Sequence, residues 1–291
     1  MCNGANNEIK VDGPELEYIE NKLSSRDSHR PEIILIQLEI PHEANLTAAQ
    51  SAKRHGCMVA LKPSPLIPGK TLDTAIAMLE FTDILFLSGT EALVLLKSLA
   101  PEMCVKLTNP RSCVTVGDAE LVAKTLLDQI SGLHTVVISA QAGHVLMQRT
   151  TVRPRAQLAN EIINAQVQRS SKLGSPATKR GSTAAVASWT DRRPLGVTGE
   201  QTGVLTFMVP RREVKTVDAI GAAGAFTGGF IAAHCRRLSV GQSLLWAHAA
   251  GCLSLSAQGA QTSMPSTSLV LECGGGVKTA RLGLRLGRPA S

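Results

Sequence analysis

Residues 33–40 read Ile-Ile-Leu-Ile-Gln-Leu-Glu-Ile, a short apolar run rich in β-branched residues that contains one acidic residue. Such a run predicts a buried strand. Strand-like and helix-like segments alternate from there to about residue 140, as in parallel strands joined by right-handed crossovers. The predicted fold is therefore α/β: a doubly wound, mostly parallel sheet with helices on both faces. The predicted strands are 33–40, 58–61, 84–87 and 135–139, and the predicted helices are 46–55, 71–81, 91–99 and 118–130.

The composition sets the size and the chemistry of the core. With 291 residues, 44% of them hydrophobic, the chain is long enough for one substantial α/β domain or two small ones. Aromatic residues make up only 3%, so the core must be aliphatic, which disfavours an aromatic-rich sandwich. The net charge of +7 favours anionic partners such as phosphates, nucleic acid or an acidic surface, without selecting among them.

The cysteines and the N-terminal residues bear on the cellular location of the protein. The seven cysteines are odd in number and lack any CxxC spacing, which is typical of reduced thiols. Residues 1–7 lack the basic and apolar succession of a signal peptide, and no apolar run reaches the ~18 residues of a membrane span. We expect a cytoplasmic protein with no membrane partner.

The chain loses its periodicity between residues 153 and 202, where Ser, Thr, Pro, Gly and basic residues dominate. We predict a disordered basic insertion there. A nucleic-acid-binding arm is the alternative, but Trp189 is its single aromatic residue, which disfavours base stacking. Order returns with a predicted strand at 203–209 and helices at 225–237 and 240–255. The predicted segments are 1–30, partly disordered; 31–152, the first part of the folded domain; 153–202, the insertion; 203–268, the second part; and 269–291, a flexible tail.

A run of small residues precedes the first helix of the second part. Residues 217–226 read Val-Asp-Ala-Ile-Gly-Ala-Ala-Gly-Ala-Phe. Backbone N–H groups at a helix start have no partner inside the helix and lie at the positive end of its dipole. We therefore predict an anion hole formed by the N–H groups of Ala222, Ala223 and Gly224. Tight packing between helices would explain the same run of small residues.

The same run resembles the signature of the PfkB carbohydrate kinases, an Asp-Thr-Thr-Gly-Ala-Gly-Asp-type sequence that opens a helix. Further stretches match ribokinase-type members in order along the chain, from residue 31 to about residue 265. By these residues the chain is identified as a ribokinase-type member of the PfkB family. The matching stretches are Gln37-Leu38-Glu39-Ile40-Pro41, Lys62-Pro63-Ser64-Pro65, Thr90-Glu91-Ala92, Trp246-Ala247-His248-Ala249-Ala250 and Gln258-Gly259-Ala260-Gln261-Thr262-Ser263-Met264-Pro265.

The resemblance implies the ribokinase-like fold without its N-terminal third, which carries the opening strands, a sugar-binding motif and the lid. It also implies the family's reaction, ATP-dependent phosphorylation of D-ribose to ribose 5-phosphate with Mg²⁺ and K⁺. The family's catalytic aspartate, which accepts the proton of the sugar hydroxyl, falls at Gly224. A positioned general base is worth ~10²- to 10⁴-fold in rate, so its loss predicts slow turnover.

The resemblance also assigns roles to other residues. Glu39 would accept a hydrogen bond from ribose, and His248 would pack against adenine. Glu91 would hold Mg²⁺ through water. The bland alternatives are a surface carboxylate for Glu39, a core histidine for His248, and a helix-start glutamate for Glu91. The remaining nucleotide positions are Ser88, Ser139, Ala140, Gln141, Ala142, Gly143 and His144, and the monovalent-cation positions are Asp218, Ile220, Ser254, Ala257, Gly259 and Ser263, of which Gly259 also fits a helix C-cap.

Three functions follow as hypotheses. The first is a ribokinase with ATP and ribose as partners and a homodimer as a compatible assembly. The second is a non-catalytic relative that binds nucleotide or a partner chain, because of Gly224 and the short N-terminus. The third, a basic nucleic-acid-binding protein, rests on the net charge of +7 alone.

Overall fold

A computed structural model describes residues 9–25, 30–108, 115–150 and 203–273. The chain divides into two compact units, Met1–Arg212 and Glu213–Ser291. The predicted insertion at 153–202 lies outside the described residues.

The first unit is built on a mixed six-stranded sheet whose spatial order follows the chain order within the described residues. The four N-terminal strands are parallel, and the last two are antiparallel additions. This confirms the predicted α/β class and the mostly parallel sheet. The strands are β1 (Ile33–Gln37), β2 (Met58–Lys62), β3 (Ile84–Ser88), β4 (Thr135–Ala140), β5 (Gly143–Thr150) and β6 (Gly203–Pro210).

Helices flank this sheet and bury its apolar side chains. The central strand β3 is buried from Ile84 to Leu87, as expected for a strand covered on both faces. The helices are α1 (Pro14–Ser24), α2 (His42–Arg54), α3 (Leu72–Leu79), α4 (Gly89–Leu99) and α5 (Val116–Gln129), with a 3₁₀ turn at Pro101–Lys106.

One buried aspartate, through its side chain and its backbone, joins the starts of three strands. Asp83 Oδ2 accepts a hydrogen bond from the N–H of Val59 at 2.7 Å, and Oδ1 pairs with Lys53 Nζ at 2.7 Å. The Asp83 carbonyl accepts from the N–H groups of His134 and Thr135 at 3.0 Å. The residue before β3 therefore holds the starts of β2 and β4 in register.

The structure differs from the sequence-based expectation at several elements. β1 stops at Gln37 rather than Ile40, because the N–H of Leu38 bonds to the Ser64 carbonyl and the chain then turns. The segment 1–30 contains helix α1, and strand β5 had no predicted counterpart. The strand after the insertion, grouped with the C-terminal part by sequence, pairs with β5 along its whole length and belongs to the first unit.

The second unit is helical within the described residues. It contains α6 (Ala222–Cys235), α7 (Val240–Leu255) and α8 (Thr267–Cys273). The last of these corrects the predicted flexible tail, since residues 269–273 are helical and Val270 is buried. Residues 274–291 of that tail lie outside the described residues.

Helices α6 and α7 pack closely because small residues face each other. A Cβ added at Gly229 would lie 2.9 Å from the Ala250 Cβ and 3.4 Å from the Ala247 Cα. A Cβ at Gly251 would lie 3.5 Å from the Phe226 Cβ. Gly229 in the glycine-rich part of α6 thus serves helix packing. Tight helix packing was the alternative explanation for the small residues in the sequence.

Two neighbouring glycines test this packing. Gly229→Ala should destabilise the protein by ~1–3 kcal/mol, because the added methyl forces two helices apart. Gly228 is exposed with open space around it, so Gly228→Ala should be neutral or stabilising by up to ~1 kcal/mol. Urea unfolding followed by the fluorescence of Trp246 on α7 compares the two. Equal stability of the two variants would contradict the close packing.

Candidate functional site

The start of α6 depends on the conformation of Gly221. Its φ of 92° lies in the left-handed region, and a Cβ there would lie 2.8 Å from the Ala260 carbonyl oxygen and 2.9 Å from the Met264 Cε. Only glycine fits both constraints. The Gly221 carbonyl accepts the first helical hydrogen bond, from the N–H of Ala225 at 2.8 Å. The chain thus enters the helix abruptly, over a close contact with the loop around residue 260.

This entry leaves two of the three predicted donors open. Ala222 donates a long hydrogen bond, 3.4 Å, to the Ala219 carbonyl. The N–H groups of Ala223 and Gly224 have no hydrogen-bond partner within the described part of the chain, and both residues are exposed. An added Cβ at Gly224 meets no atom within 4 Å. The helix start can therefore donate to an anion, and position 224 has room for a side chain.

Asp218 fixes the loop that leads into this turn. Its Oδ1 accepts from the N–H of Ile220 and its Oδ2 from the N–H of Gly259, both at 2.9 Å. These hydrogen bonds, first that from Ile220 and then that from Gly259, lower the pKa of the Asp218 carboxyl below its ordinary value. The carboxylate joins the loop before α6 to the loop after α7. The sequence had assigned Asp218 to a cation site and had not predicted this connection.

Most of the other predicted cation residues lie on the same two loops, and Ser254 lies in the last turn of α7. Ser254 and Ser263 are buried, and their hydroxyls lie 3.0 Å apart. The carbonyls of Ser254 and Gly259 already accept from the N–H groups of Ala257 and Ser263, at 3.2 Å and 3.1 Å. Among the described residues there is no cluster of metal-binding His, Cys, Asp or Glu side chains. A monovalent cation here would need backbone carbonyls and serine hydroxyls as ligands.

In the first unit, Ser88 and Glu91 cap a helix. Ser88 Oγ accepts from the N–H of Glu91 at 3.2 Å, and Glu91 Oε2 accepts from the N–H of Ser88 at 2.7 Å. This reciprocal pair is a capping box at the start of α4. It favours the helix-start alternative for Glu91, since one of its oxygens is engaged in the cap.

The predicted nucleotide turn 139–144 is the tip of the β4–β5 hairpin. Ser139 pairs with His144 across the strands, and their side chains lie 2.9 Å apart, Oγ to Nδ1. Gln141 and Ala142 are exposed at the tip, next to Ala140. Gly143 has a φ of 145° and lies against the Val209 carbonyl, where no Cβ would fit. The glycine is therefore needed by the sheet itself.

The last two candidates lie in different units. Glu39 is exposed in the turn after β1, with its side chain at the surface. His248 lies half-buried on α7, with its Nε2 3.6 Å from the Cys252 Sγ one turn on. Glu39 is thus accessible to a ligand. His248 is half-buried and contacts a residue of its own helix, which agrees in part with a core histidine.

Comparisons with known proteins agree on the fold. The model of the pfkB family carbohydrate kinases matches residues 195–267, whereas no curated protein matches the chain. Ribokinase from Thermotoga maritima shares 20% identity at a TM-score of 0.55, over 93% of this chain and 62% of that one. Arabidopsis thaliana ribokinase, complexed with ribose and ATP, shares 21% at a TM-score of 0.52, over 92% and 60%. An E. coli protein assigned as ribokinase II, in complex with ATP and Mg²⁺, shares 18% at a TM-score of 0.52, over 83% and 58%.

The structures define the class of the fold, which is that of the ribokinase-like α/β proteins. The family match covers the turn and the helices α6 and α7, so this part of the chain is similar to the PfkB carbohydrate kinases. The chain spans about three fifths of the length of the solved structures that it matches.

The Asp218 connection predicts a pH-dependent stability. Because the folded pKa lies below the ordinary value of 3.8, the carboxylate stabilises the fold above that pH and loses this effect as the pH falls through the folded pKa. Asp218→Asn should therefore unfold at a lower urea concentration than wild type at neutral pH, and the difference should shrink below about pH 4. Asp128→Asn, at a surface pair with Lys124, is the control and should change little. A difference in urea midpoint between Asp218→Asn and wild type that stays constant down to pH 3 would contradict a stabilising role for the Asp218 carboxylate.

The capping box predicts a matched pair of variants at Ser88. Ser88→Ala should destabilise the protein by ~1 kcal/mol, because the N–H of Glu91 loses its acceptor. Ser88→Asn restores an N-cap acceptor, so its stability should be close to wild type. Thermal unfolding followed by circular dichroism measures both. Equal loss in the two variants would show that capping is not the role of Ser88.

Proposed function

We propose that the chain binds the terminal phosphate of ATP at the start of α6 and carries out ribokinase-like phosphorylation of D-ribose to ribose 5-phosphate only slowly. The observation that supports this most is the pair of exposed N–H groups at Ala223 and Gly224, held open by the left-handed Gly221. Phosphoryl transfer relies chiefly on positioning and on stabilising charge, which such donors supply. The similar structures that were solved with ATP, ribose or Mg²⁺ support the choice of ligands.

The slow rate follows from position 224. The family's base is replaced by glycine, which cannot accept the proton of the attacking hydroxyl. The donors of the anion hole are backbone groups and do not depend on that side chain. Phosphate binding should therefore survive the substitution while proton transfer is impaired.

In this proposal Mg²⁺ and K⁺ accompany ATP. Glu91 would reach Mg²⁺ through water with the oxygen that the cap leaves over, and the two loops joined by Asp218 would hold K⁺. Glu39 would contact ribose and His248 adenine. The protein would act in the cytoplasm, in keeping with the free cysteines at 57, 104, 235, 252 and 273. No helix in the described ranges is long and apolar enough to cross a membrane.

Restoring the base tests the proposal. Gly224→Asp should raise ADP release in the presence of ribose, Mg²⁺ and K⁺ by ~10²- to 10⁴-fold over wild type, because it returns a proton acceptor. The open space at this position predicts that the variant folds. Gly228→Asp, one helical turn further along on the exposed side of α6, is the control with the same charge and should not raise the rate.

A non-catalytic role is the second candidate, favoured by the engagement of Ser88 and Glu91 in a helix cap. It predicts that wild type and Gly224→Asp both bind ATP in titration calorimetry and that neither turns over. Gly221→Ala, which disrupts the helix entry, should lose this binding in either case. ATP binding unaffected by Gly221→Ala would contradict both candidates, because each places the phosphate at this turn.

A further inference from the structure

The connection between α6 and α7 carries two arginines just before a serine. Residues 236–239 read Arg-Arg-Leu-Ser; Arg236 and Arg237 are exposed, and Ser239 is half-buried. Protein kinases select their substrates by charge patterns, and a kinase with carboxylates beside its active site favours arginines two and three residues before the acceptor serine. Arginine suits such recognition, because its planar guanidinium pairs with a carboxylate through two hydrogen bonds. The function proposed above uses none of these residues.

This part of the second unit has no acidic residue of its own. The stretch 219–271 contains no Asp or Glu, and Arg236 and Arg237 are its only Arg or Lys residues. The carboxylates that flank the stretch belong to Asp218, which is engaged with backbone N–H groups of its loops, and to Glu272 near the end of α8. A phosphate or an acidic surface therefore meets two positive charges at this connection.

The contacts of the Arg236 guanidinium leave it available to a partner. Its Cζ lies 5.6 Å from the centre of the Trp246 ring, and its Nη1 lies 3.5 Å from the Ala232 carbonyl oxygen. A cation over an aromatic ring at the surface is a weak contact, and a hydrogen bond of this length is weak as well. A carboxylate of a partner protein can therefore draw this side chain away from α7.

The Ser239 hydroxyl caps α7 through a long hydrogen bond. Its Oγ accepts from the N–H of Gln242 at 3.3 Å, and Gln242 Oε1 accepts from the N–H of Ser239 at 3.0 Å, which forms a capping box. A phosphate on this oxygen would still accept hydrogen bonds from the first turn of α7, because the first N–H groups of a helix have no partner inside it. The modified residue is therefore compatible with the fold.

We propose that Ser239 is a phosphorylation site for an arginine-directed Ser/Thr protein kinase. The Ser239 Oγ attacks the γ-phosphorus of ATP held by that kinase, and the bond between this phosphorus and the oxygen that bridges it to the β-phosphate breaks. ADP leaves, and the hydroxyl proton passes to the catalytic aspartate of the protein kinase. The product carries a phosphate of about −1.5 to −2 charges at the N-cap of α7, three residues after Arg236.

The connection must open locally for a kinase to reach the hydroxyl, because Leu238 beside it is buried, with 9% of its surface exposed. Arg237 has a φ of 60°, in the left-handed region that is costly for residues other than glycine. Opening the connection releases this cost. Only the four residues 236–239 lie between α6 and α7, so the opening is confined to a short segment.

Labelling of the folded full chain tests the site. The probe is the purified catalytic subunit of cyclic-AMP-dependent protein kinase, an arginine-directed enzyme, with Mg²⁺ and ATP. Lys179-Arg180-Gly181-Ser182 has a similar pattern outside the described residues, so the assay uses Ser182→Ala as its background. Peptide mass spectrometry should place a phosphoryl group on Ser239, and adding Ser239→Ala should remove this label. A folded Ser182→Ala chain with no phosphate on Ser239 overturns the proposal.

Two arginine variants in the same background test the recognition. Arg237→Gly removes the charge and leaves the left-handed conformation available. It should lower the initial rate of Ser239 labelling by roughly tenfold or more, because a hydrogen bond to a charged partner is lost. Arg211→Gln removes an exposed arginine outside the connection and should leave the rate unchanged. Equal rates for Arg237→Gly and its parent would show that the arginine pair is not recognised.

The phosphate should also stabilise the start of α7. The phosphorylated Ser182→Ala chain should unfold at a higher urea concentration than the same chain without phosphate, because a negative charge at the N-cap interacts favourably with the helix dipole. This difference should shrink in high salt, which screens the interaction. A lower urea midpoint after phosphorylation would show that the phosphate disrupts the start of α7, against the compatibility inferred from the capping box.

Discussion

The hydrogen bonds of the Asp218 carboxylate are the interaction on which the second unit depends. One side chain holds the N–H groups of Ile220 and Gly259, and thereby keeps the loop before α6 against the loop after α7. Gly221 can then turn through a conformation that other residues rarely adopt, against Ala260. The open N–H groups at the helix start are the result of that forced entry. In the proposed function the phosphate donors are thus backbone groups placed by loop geometry, not by a side chain that touches the ligand.

In the first unit, too, a carboxylate accepts hydrogen bonds from backbone N–H groups, but there it positions strands. Asp83 collects donors from neighbouring segments and sets the strand starts in register. Ser88 and Glu91, five and eight residues further on, are occupied in starting α4. The carboxylates of Asp83 and Glu91, like that of Asp218, therefore hold backbone N–H groups in place.

The sequence predicted the parallel strands and α7 well, because buried runs and amphipathic repeats report burial directly. It predicted β1 as too long, since the run to Ile40 remains apolar after the backbone has turned away toward Ser64. It missed β5, which pairs with β4 across the turn at residues 141–142 and with β6 from beyond residue 202. The anion hole at residues 222–224 was predicted from small residues before a helix, and it stays a prediction. The two open N–H groups, the φ of Gly221 and the role of Asp218 depend on contacts between distant loops. No local pattern carries those contacts.

The strand order in the first unit bears on how the chain folds. Each strand of the sheet lies beside the strand that precedes it in the chain, but the stretches that join neighbouring strands differ in length. Ile33 pairs with Met58 and Ala60 with Ile84, whereas Ile84 pairs with Thr135, and the stretch 151–202 separates β5 from β6. Closing a longer stretch costs more chain entropy, and non-local pairings slow folding. The β3–β4 and β5–β6 pairings are therefore the most costly in the sheet to close.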